Sequence, residues 1–205
     1  MNAIFSRLSS RHSLWLLTSA LWVMLAPAQA AAPAAAIEAG TFRCITQMTP
    51  VRGFYVDNLL GDLQGTLKVA RSTTGGVYPP GSVVQLIPTE VMVKQPAGTN
   101  PATKDWEFFE LDISDKGVAT FRGRGFTNVV NRFGGNCLGC HVAARPEWDM
   151  ICEQGHGCAP VPLTRAMIEA LQRSDARCSP PNVLRPQDIE ALKLLAPPPQ
   201  APAAR

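Results

Sequence analysis

The pentapeptide Cys137-Leu138-Gly139-Cys140-His141 is the feature that most constrains this chain, because it is a C-x-x-C-H box. Two thiols at this spacing can each add to one vinyl group of the same porphyrin, and the histidine that follows can reach the iron. Positions i, i+3 and i+4 share one face of a helix, so a helical turn would direct all three side chains to one ligand. The box predicts one covalent haem c on Cys137 and Cys140, with His141 as the proximal iron ligand.

The same box permits three other interpretations. It could be a redox-active C-x-x-C pair, half of a zinc site, or one end of ordinary disulfides. The zinc and thioredoxin-type interpretations apply mainly to cytosolic proteins, and this chain opens with an export signal. A thiol–disulfide protein also lacks support here because the sequence has no thioredoxin-like βαβ organisation.

The first 30 residues have the three parts of a secretory signal peptide. Arg7, Arg11 and His12 form a basic start, residues 14–26 form an apolar run, and residues 28–30 read Ala-Gln-Ala, a small-residue cleavage site. The apolar run is shorter than the roughly 20 residues of a transmembrane helix, so an uncleaved membrane anchor is the weaker alternative. We expect a periplasmic or secreted protein with no stable membrane span after cleavage.

The expected organisation is a signal peptide at 1–30, a flexible lead-in at 31–40, a single haem-binding domain at 41–195 and a disordered Pro/Ala tail at 196–205. The chain carries 19 Lys and Arg against 16 Asp and Glu, and the signal removes two arginines and no acid. A near-neutral mature chain without a basic stripe predicts no nucleic-acid partner. The expected partners are a redox protein or a small gaseous or nitrogen-oxide ligand, and a homodimer is left open.

All six cysteines follow the signal peptide. If two hold a haem, Cys44, Cys152, Cys158 and Cys178 remain, an even number in an oxidising compartment. Cys152 and Cys158 bracket a loop whose two glycines would allow it to close tightly. We favour the pairs Cys152–Cys158 and Cys44–Cys178, although four cysteines allow three connectivities and the sequence does not choose among them.

Apolar periodicity and turn residues divide the rest of the chain into segments. Residues 41–48 are predicted as a first strand and residues 56–70 as a helix. Strand-like segments follow at 82–87, 90–95, 105–113 and 118–122, with Pro88 as a bulge or edge between the first two. After the box we expect an irregular, disulfide-stapled stretch at 146–162 and two short helices, one capped by Thr164 and one starting near Pro186.

A run of strands that leads into Phe133-Gly134-Gly135-Asn136 and the box resembles the cytochrome P-460 family and its relatives, the beta-type cytochromes c-prime. The resemblance extends from residues 78–84 through residues 105–109 to His141, about a third of the chain. It implies an α+β fold, mostly an antiparallel β-sheet with flanking helices and the covalent haem on one side. His141 is again the proximal ligand.

The named enzymes of that family oxidise hydroxylamine with a haem that is cross-linked to a lysine. The corresponding position in this chain falls near Leu86, which is not a lysine. The nearest lysine is Lys94, and we expect it to be a solvated surface residue. Whether the protein is an enzyme therefore stays open.

Two classes of function remain. In the first, the iron has an open site in an apolar pocket lined by residues such as Phe108 and Phe109, where a nitrogen oxide, hydroxylamine or a gas binds or is oxidised. In the second, the protein is a six-coordinate periplasmic electron-transfer cytochrome. Its sixth ligand would come from a residue on the distal side, and the candidates are Met48, Met92, Met150, Met167 and His156. Distal polarity and access decide between the two classes, and we favour the open site.

Overall fold

The structure is a computed structural model that describes residues 36–195, and the structural statements below concern that part of the chain. The predicted signal peptide and the predicted Pro/Ala tail lie outside the described residues. Of the predicted flexible lead-in, residues 36–40 are described. Ile37 is buried there among core side chains, so the described end of the lead-in is packed against the domain.

The centre of the fold is one six-stranded sheet in which the strand order follows the chain order, β1-β2-β3-β4-β5-β6. Every neighbouring pair is antiparallel. The strands are β1 (Thr49–Val51), β2 (Phe54–Asn58), β3 (Ser82–Gln85), β4 (Glu90–Lys94), β5 (Trp106–Ile113) and β6 (Ala119–Gly125). With its flanking helices, this meander confirms the α+β fold class.

Residues 36–195 contain four α-helices: α1 (Leu63–Ala70), α2 (Cys137–His141), α3 (Arg165–Arg173) and α4 (Pro186–Lys193). The predicted cap of α3 is confirmed, since the Thr164 side chain accepts a hydrogen bond from the backbone N–H of Met167. Pro186 opens α4, where its missing N–H costs no helical hydrogen bond. Within residues 36–195, no helix is both long enough and apolar enough to span a membrane.

Alternating side chains give the sheet two apolar faces. The first face packs against α1 and α2, and its core includes Val56, Val84, Met92, Trp106 and Phe108. The second face is covered by residues from the start of the described chain; its core holds Ile37, Phe42, Ile45, Met48, Val83, Val91, Val93, Phe109 and Leu111. Because both faces are buried, β3, β4 and most of β5 are buried along their length.

Two predicted elements are wrong. Residues 41–48 do not form a strand. One short 3₁₀ turn ends there, Ala39–Thr41, a second lies at Ile45–Gln47, and the first strand begins at Thr49. The predicted helix at 56–70 is a strand as far as Asn58, and the helix begins only at Leu63. Gly61 at φ 89° and the capping carboxylate of Asp62, which accepts the Gly65 N–H, fix that later start.

Candidate functional site

The C-x-x-C-H box lies on the single helical turn of α2, as its spacing predicts. Asn136 caps this turn, because its side-chain oxygen accepts the N–H of Gly139 at 2.8 Å. Its side-chain amide donates to the carbonyl of Thr127 at 2.9 Å, and the Cys137 N–H donates to the carbonyl of Val129 at 3.0 Å. The segment before the box therefore holds the start of α2 in place.

Glycine in β6 allows that segment to approach the sheet. A Cβ atom at Gly123 would lie 3.3 Å from Val129, tighter than ordinary van der Waals contact. Val129 is itself buried in the first-face core and accepts the hydrogen bond from Cys137. The side chains of Cys137 and Leu138 consequently pack against that core, together with Leu86.

Cys137 and Cys140 are both free thiols, whereas the other four cysteines are paired. Cys137 is half-buried and Cys140 is exposed. Burial raises the pKa of Cys137 to about 12, and the nearby carboxylates of Glu90 and Glu110 add to the rise. A redox-active C-x-x-C pair needs a thiol with a lowered pKa, so the surroundings of Cys137 oppose that interpretation.

The structure does not favour a zinc site at the box. Among residues 36–195, one group of three Cys, His, Asp or Glu side chains brings its ligand atoms within 4.8 Å of one another: Cys44, Asp175 and Cys178. Those two sulfurs are joined in a disulfide, so they are not free to bind a metal. The two thiols and the imidazole of the box do not converge in this way.

His141 is held by a backbone carbonyl. Its Nδ1 lies 2.7 Å from the carbonyl oxygen of Met150, and because a carbonyl only accepts, Nδ1 must carry the proton. Burial lowers the pKa of the imidazole, which favours its neutral form with a free lone pair on Nε2. The ring centroid lies 5.5 Å from that of Phe108. A histidine that ligates a metal through Nε2 needs this tautomer.

The carbonyl that binds His141 belongs to an unusual stretch of backbone. Asp149 and Met150 have φ values of 48° and 67°, and a left-handed conformation costs a non-glycine residue of order 1 kcal/mol or more. Both residues are buried. The backbone carbonyl of Asp149 accepts the indole N–H of Trp106 at 2.7 Å, and the side-chain carboxylate of Asp149 accepts the backbone N–H of Tyr78 at 2.9 Å.

The expectation that Lys94 is a solvated surface residue is wrong. Lys94 is 5% exposed, and its Nζ lies 2.9 and 2.8 Å from the two carboxylate oxygens of Asp149. The Nζ also donates to the carbonyl of Lys104 at 2.6 Å and lies 5.1 Å from the centroid of Trp106. Burial without these partners would be prohibitively costly, so the ion pair is what allows a lysine at this position in β4.

The wall that faces α2 is a row of apolar side chains across the sheet. Val84, Met92 and Phe108 are directly paired in register on β3, β4 and β5. Phe109 points the other way, as strand alternation requires, and packs 5.1 Å from Phe42 in the second-face core. Of the two phenylalanines expected to line the pocket, Phe108 lies on the side of the box and Phe109 does not.

Two carboxylates on this side, one half-buried and one fully buried, were not identified from the sequence. Glu90 and Glu110 are register partners on β4 and β5, two residue pairs along from Met92 and Phe108 and therefore on the same face of the sheet. Burial raises the pKa of Glu90 to about 7, and the neighbouring charge of Glu110 contributes. Glu110 is fully buried; its Oε1 accepts from Arg132 at 2.8 Å, while its Oε2 has no hydrogen-bond partner among the described residues.

Among the five candidates for a sixth iron ligand, one lies on the sheet face that packs against α2. Met92 is buried there beside Phe108. Met48 belongs to the core on the opposite face of the sheet. Met167 lies on α3, whose main contacts are with α4 and with the turn at Ile45–Gln47.

The other two candidates lie in the segment that follows the box. The carbonyl of Met150 binds Nδ1 of His141, and the Met150 side chain is buried in the first-face core. His156 stacks on Trp148 with ring centroids 3.7 Å apart, and its Nδ1 donates to the carbonyl of Ile151 at 2.8 Å.

Both favoured disulfides are confirmed: Cys44 pairs with Cys178 and Cys152 pairs with Cys158. The smaller loop contacts the segment that follows the box, since the N–H of Arg145 donates to the carbonyl of His156 at 2.7 Å. It therefore braces the segment that follows α2.

The chain matches no protein-family model, no curated protein and no solved structure among those compared with it. The resemblance to the cytochrome P-460 family therefore stays a prediction, and the residues of the site carry the functional argument.

Proposed function

We propose that the protein is an exported mono-haem c-type cytochrome of the P-460-like type, acting in the periplasm or outside the cell. In this proposal Cys137 and Cys140 hold the haem through thioether bonds and His141 is the proximal iron ligand. The haem would bind, or oxidise, a nitrogen oxide, hydroxylamine or a gas at an open distal site. The two disulfides fit an oxidising compartment.

One observation carries the proposal: two unpaired thiols and a correctly protonated imidazole share one turn of helix. In a chain whose other four cysteines are paired, Cys137 and Cys140 stay free although they are three residues apart. His141 donates from Nδ1 to Met150 and keeps Nε2 available. This donor set suits haem attachment and suits neither thiol redox chemistry nor zinc.

The haem supplies the redox chemistry when bound, and the chain's residues set its surroundings. Phe108 and Val84 form a dry wall that limits access of water. Glu90, with a pKa of about 7, can take up or release a proton at neutral pH. Substrates such as hydroxylamine lose protons as they are oxidised, so a carboxyl of this kind on the same face favours the open-site class.

The proposal does not include a lysine cross-link. The position that corresponds to the family's lysine is Leu86, whose side chain is apolar and packs against the same core as Cys137. Lys94 is tied by its Nζ to Asp149 and to the carbonyl of Lys104. Neither residue supports hydroxylamine oxidation by a cross-linked haem, so ligand binding has as much support as oxidation.

A six-coordinate electron-transfer cytochrome is the second candidate, and Met92 is the observation that favours it. A buried methionine on the face that packs against α2 can supply a thioether ligand. Comparing Met92→Leu with Met48→Leu separates the two classes. Both changes remove one buried thioether of similar volume, but they lie on opposite faces of the sheet.

The test is the absorption spectrum of the exported protein, oxidised and reduced, with and without carbon monoxide. The open-site proposal predicts rapid carbon monoxide binding, with the spectra of both methionine variants like that of the wild type. A low-spin spectrum that carbon monoxide leaves unchanged, and that becomes high-spin only in Met92→Leu, would establish the electron carrier instead. Haem that leaves the polypeptide in acidified organic solvent would refute both.

A further inference from the structure

The residues around Asp149 and Met150 form a connected set that ends at His141. Lys94 binds the Asp149 carboxylate through both oxygens, at 2.8 and 2.9 Å. The Asp149 carbonyl accepts from Trp106, and the next carbonyl, that of Met150, accepts from His141. The Lys94–Asp149 ion pair and the imidazole of His141 therefore bind two successive residues, Asp149 and Met150, which are joined by one peptide bond.

The backbone of this dipeptide depends on those contacts. Two successive non-glycine residues in the left-handed region persist only where the surroundings determine them. Tyr78 and Lys94 donate to the Asp149 carboxylate, and it is buried, so losing the lysine would leave a buried charge with one donor. The segment would then relax, and the carbonyl of Met150 would leave its position opposite Nδ1.

The chain contains a second left-handed pair that Lys94 also binds. Lys104 and Asp105 have φ values of 48° and 66°, and the Lys104 carbonyl accepts from the Lys94 Nζ. Each pair follows a 3₁₀ turn that begins with proline. The Lys94 ammonium group therefore links two left-handed segments of backbone, so its loss would remove contacts from both.

We propose that Lys94 and Asp149 are positioning residues that fix the tautomer and orientation of His141 through the Met150 carbonyl. The role of these residues in haem ligation rests on the proposed function. The contacts among Lys94, Asp149, Met150 and His141 are present in the chain without a haem. A fixed Nδ1–H leaves Nε2 as the ligand atom and raises its basicity. The buried ion pair therefore acts on the axial ligand rather than serving stability alone.

The test is nitrogen-15 NMR of the histidine side chains in the full chain without attached haem. The wild type should show His141 as a single Nδ1–H tautomer with slow exchange of that proton. The double variant Lys94→Met with Asp149→Asn removes both charges, so no unpaired charge is left buried. It should give a mixture of tautomers and about tenfold faster exchange, which corresponds to the loss of about 1.4 kcal/mol, the scale of one hydrogen bond.

Lys193→Met is the matched control, because the Lys193 Nζ pairs with Glu190 at the exposed surface of α4 and belongs to neither left-handed pair. It should leave His141 unchanged. Asp149→Asn alone is a second variant, since asparagine tolerates the left-handed region and can still accept the Tyr78 N–H. It too should loosen His141.

A wild-type tautomer and exchange rate in the folded double variant, or in folded Asp149→Asn, would overturn the proposal. Loss of the folded amide spectrum in both variants would overturn it as well, since the pair would then serve the fold rather than His141. In haem-loaded protein, the iron–histidine stretching band of the ferrous state should move to lower frequency in the double variant. A chain that carries no haem would refute the proposed function, while the NMR result would still decide the role of the pair.

Discussion

Replacing Glu90 with glutamine tests the electrostatics of the sheet face that packs against α2. The carboxyl of Glu90 accepts a hydrogen bond from the Asn131 side chain at 3.0 Å and lies beside Glu110. Glutamine keeps the size of the side chain and an oxygen for Asn131. The substitution therefore removes the titration of this group and little else.

The magnitude follows from the pKa of Glu90, which burial raises from an ordinary value near 4.5 to about 7. A carboxyl whose pKa is raised in the folded state stabilises it fully below the unfolded pKa, and this contribution is lost as pH rises through the folded pKa. At about 1.4 kcal/mol for each unit of pKa difference, the loss above pH 7 is about 3 kcal/mol. Partial exposure of the side chain to solvent lowers the expected value to about 2–3 kcal/mol.

The measurement is denaturant unfolding of wild type and Glu90→Gln at pH 5 and pH 8 with the disulfides intact. At pH 8 the variant should be the more stable protein by about 2–3 kcal/mol, and at pH 5 the two should differ by less than about 1 kcal/mol. Glu190→Gln is the control, because Glu190 is exposed at the surface of α4. A stability difference that is the same at both pH values would refute the reasoning.

Three further predictions concern the disulfides, the thiols and the wall of the site. Replacing Cys44 and Cys178 with alanine should lower the free energy of unfolding by about 5 kcal/mol, because the disulfide closes a loop with a sequence separation of 134. Replacing Cys152 and Cys158, whose separation is 6, should lower it by about 2 kcal/mol. Equal losses in denaturant unfolding would contradict this dependence on loop length. Thiol titration of the denatured, unreduced chain should find no free thiol in the haem-loaded protein and two without haem, and four would contradict the pairing. Phe108→Ala should cost about 3–5 kcal/mol in the same unfolding assay and alter the haem spectrum, and an unchanged spectrum would place the haem elsewhere.

Local patterns predicted much of the fold. The segments expected at 82–87, 90–95, 105–113 and 118–122 correspond to β3–β6, and both C-terminal helices begin where their capping or proline residues indicate. These signals depend on neighbours in sequence. The helix predicted at 56–70 started too early because local pattern is ambiguous there. Val56 fits the alternation of a strand and also the helical period of the apolar residues after it.

The site depended more on long-range contacts. The box and its helical turn were predictable, since five consecutive residues carry the signal. The burial of Lys94 was not, because its partner Asp149 lies 55 residues away. Glu90 and Glu110 were missed for a similar reason: which face a strand residue occupies depends on pairing register, and a one-residue change moves each side chain to the other face.

The most direct test of the central claim is the intact mass of the chain recovered from the exported fraction under denaturing conditions. The account predicts a chain that begins at Ala31 and is heavier than its sequence by one haem, after allowance for two disulfides. The added mass should disappear when Cys137 and Cys140 are both replaced with alanine. An exported wild-type chain with the mass of the bare polypeptide would contradict the account.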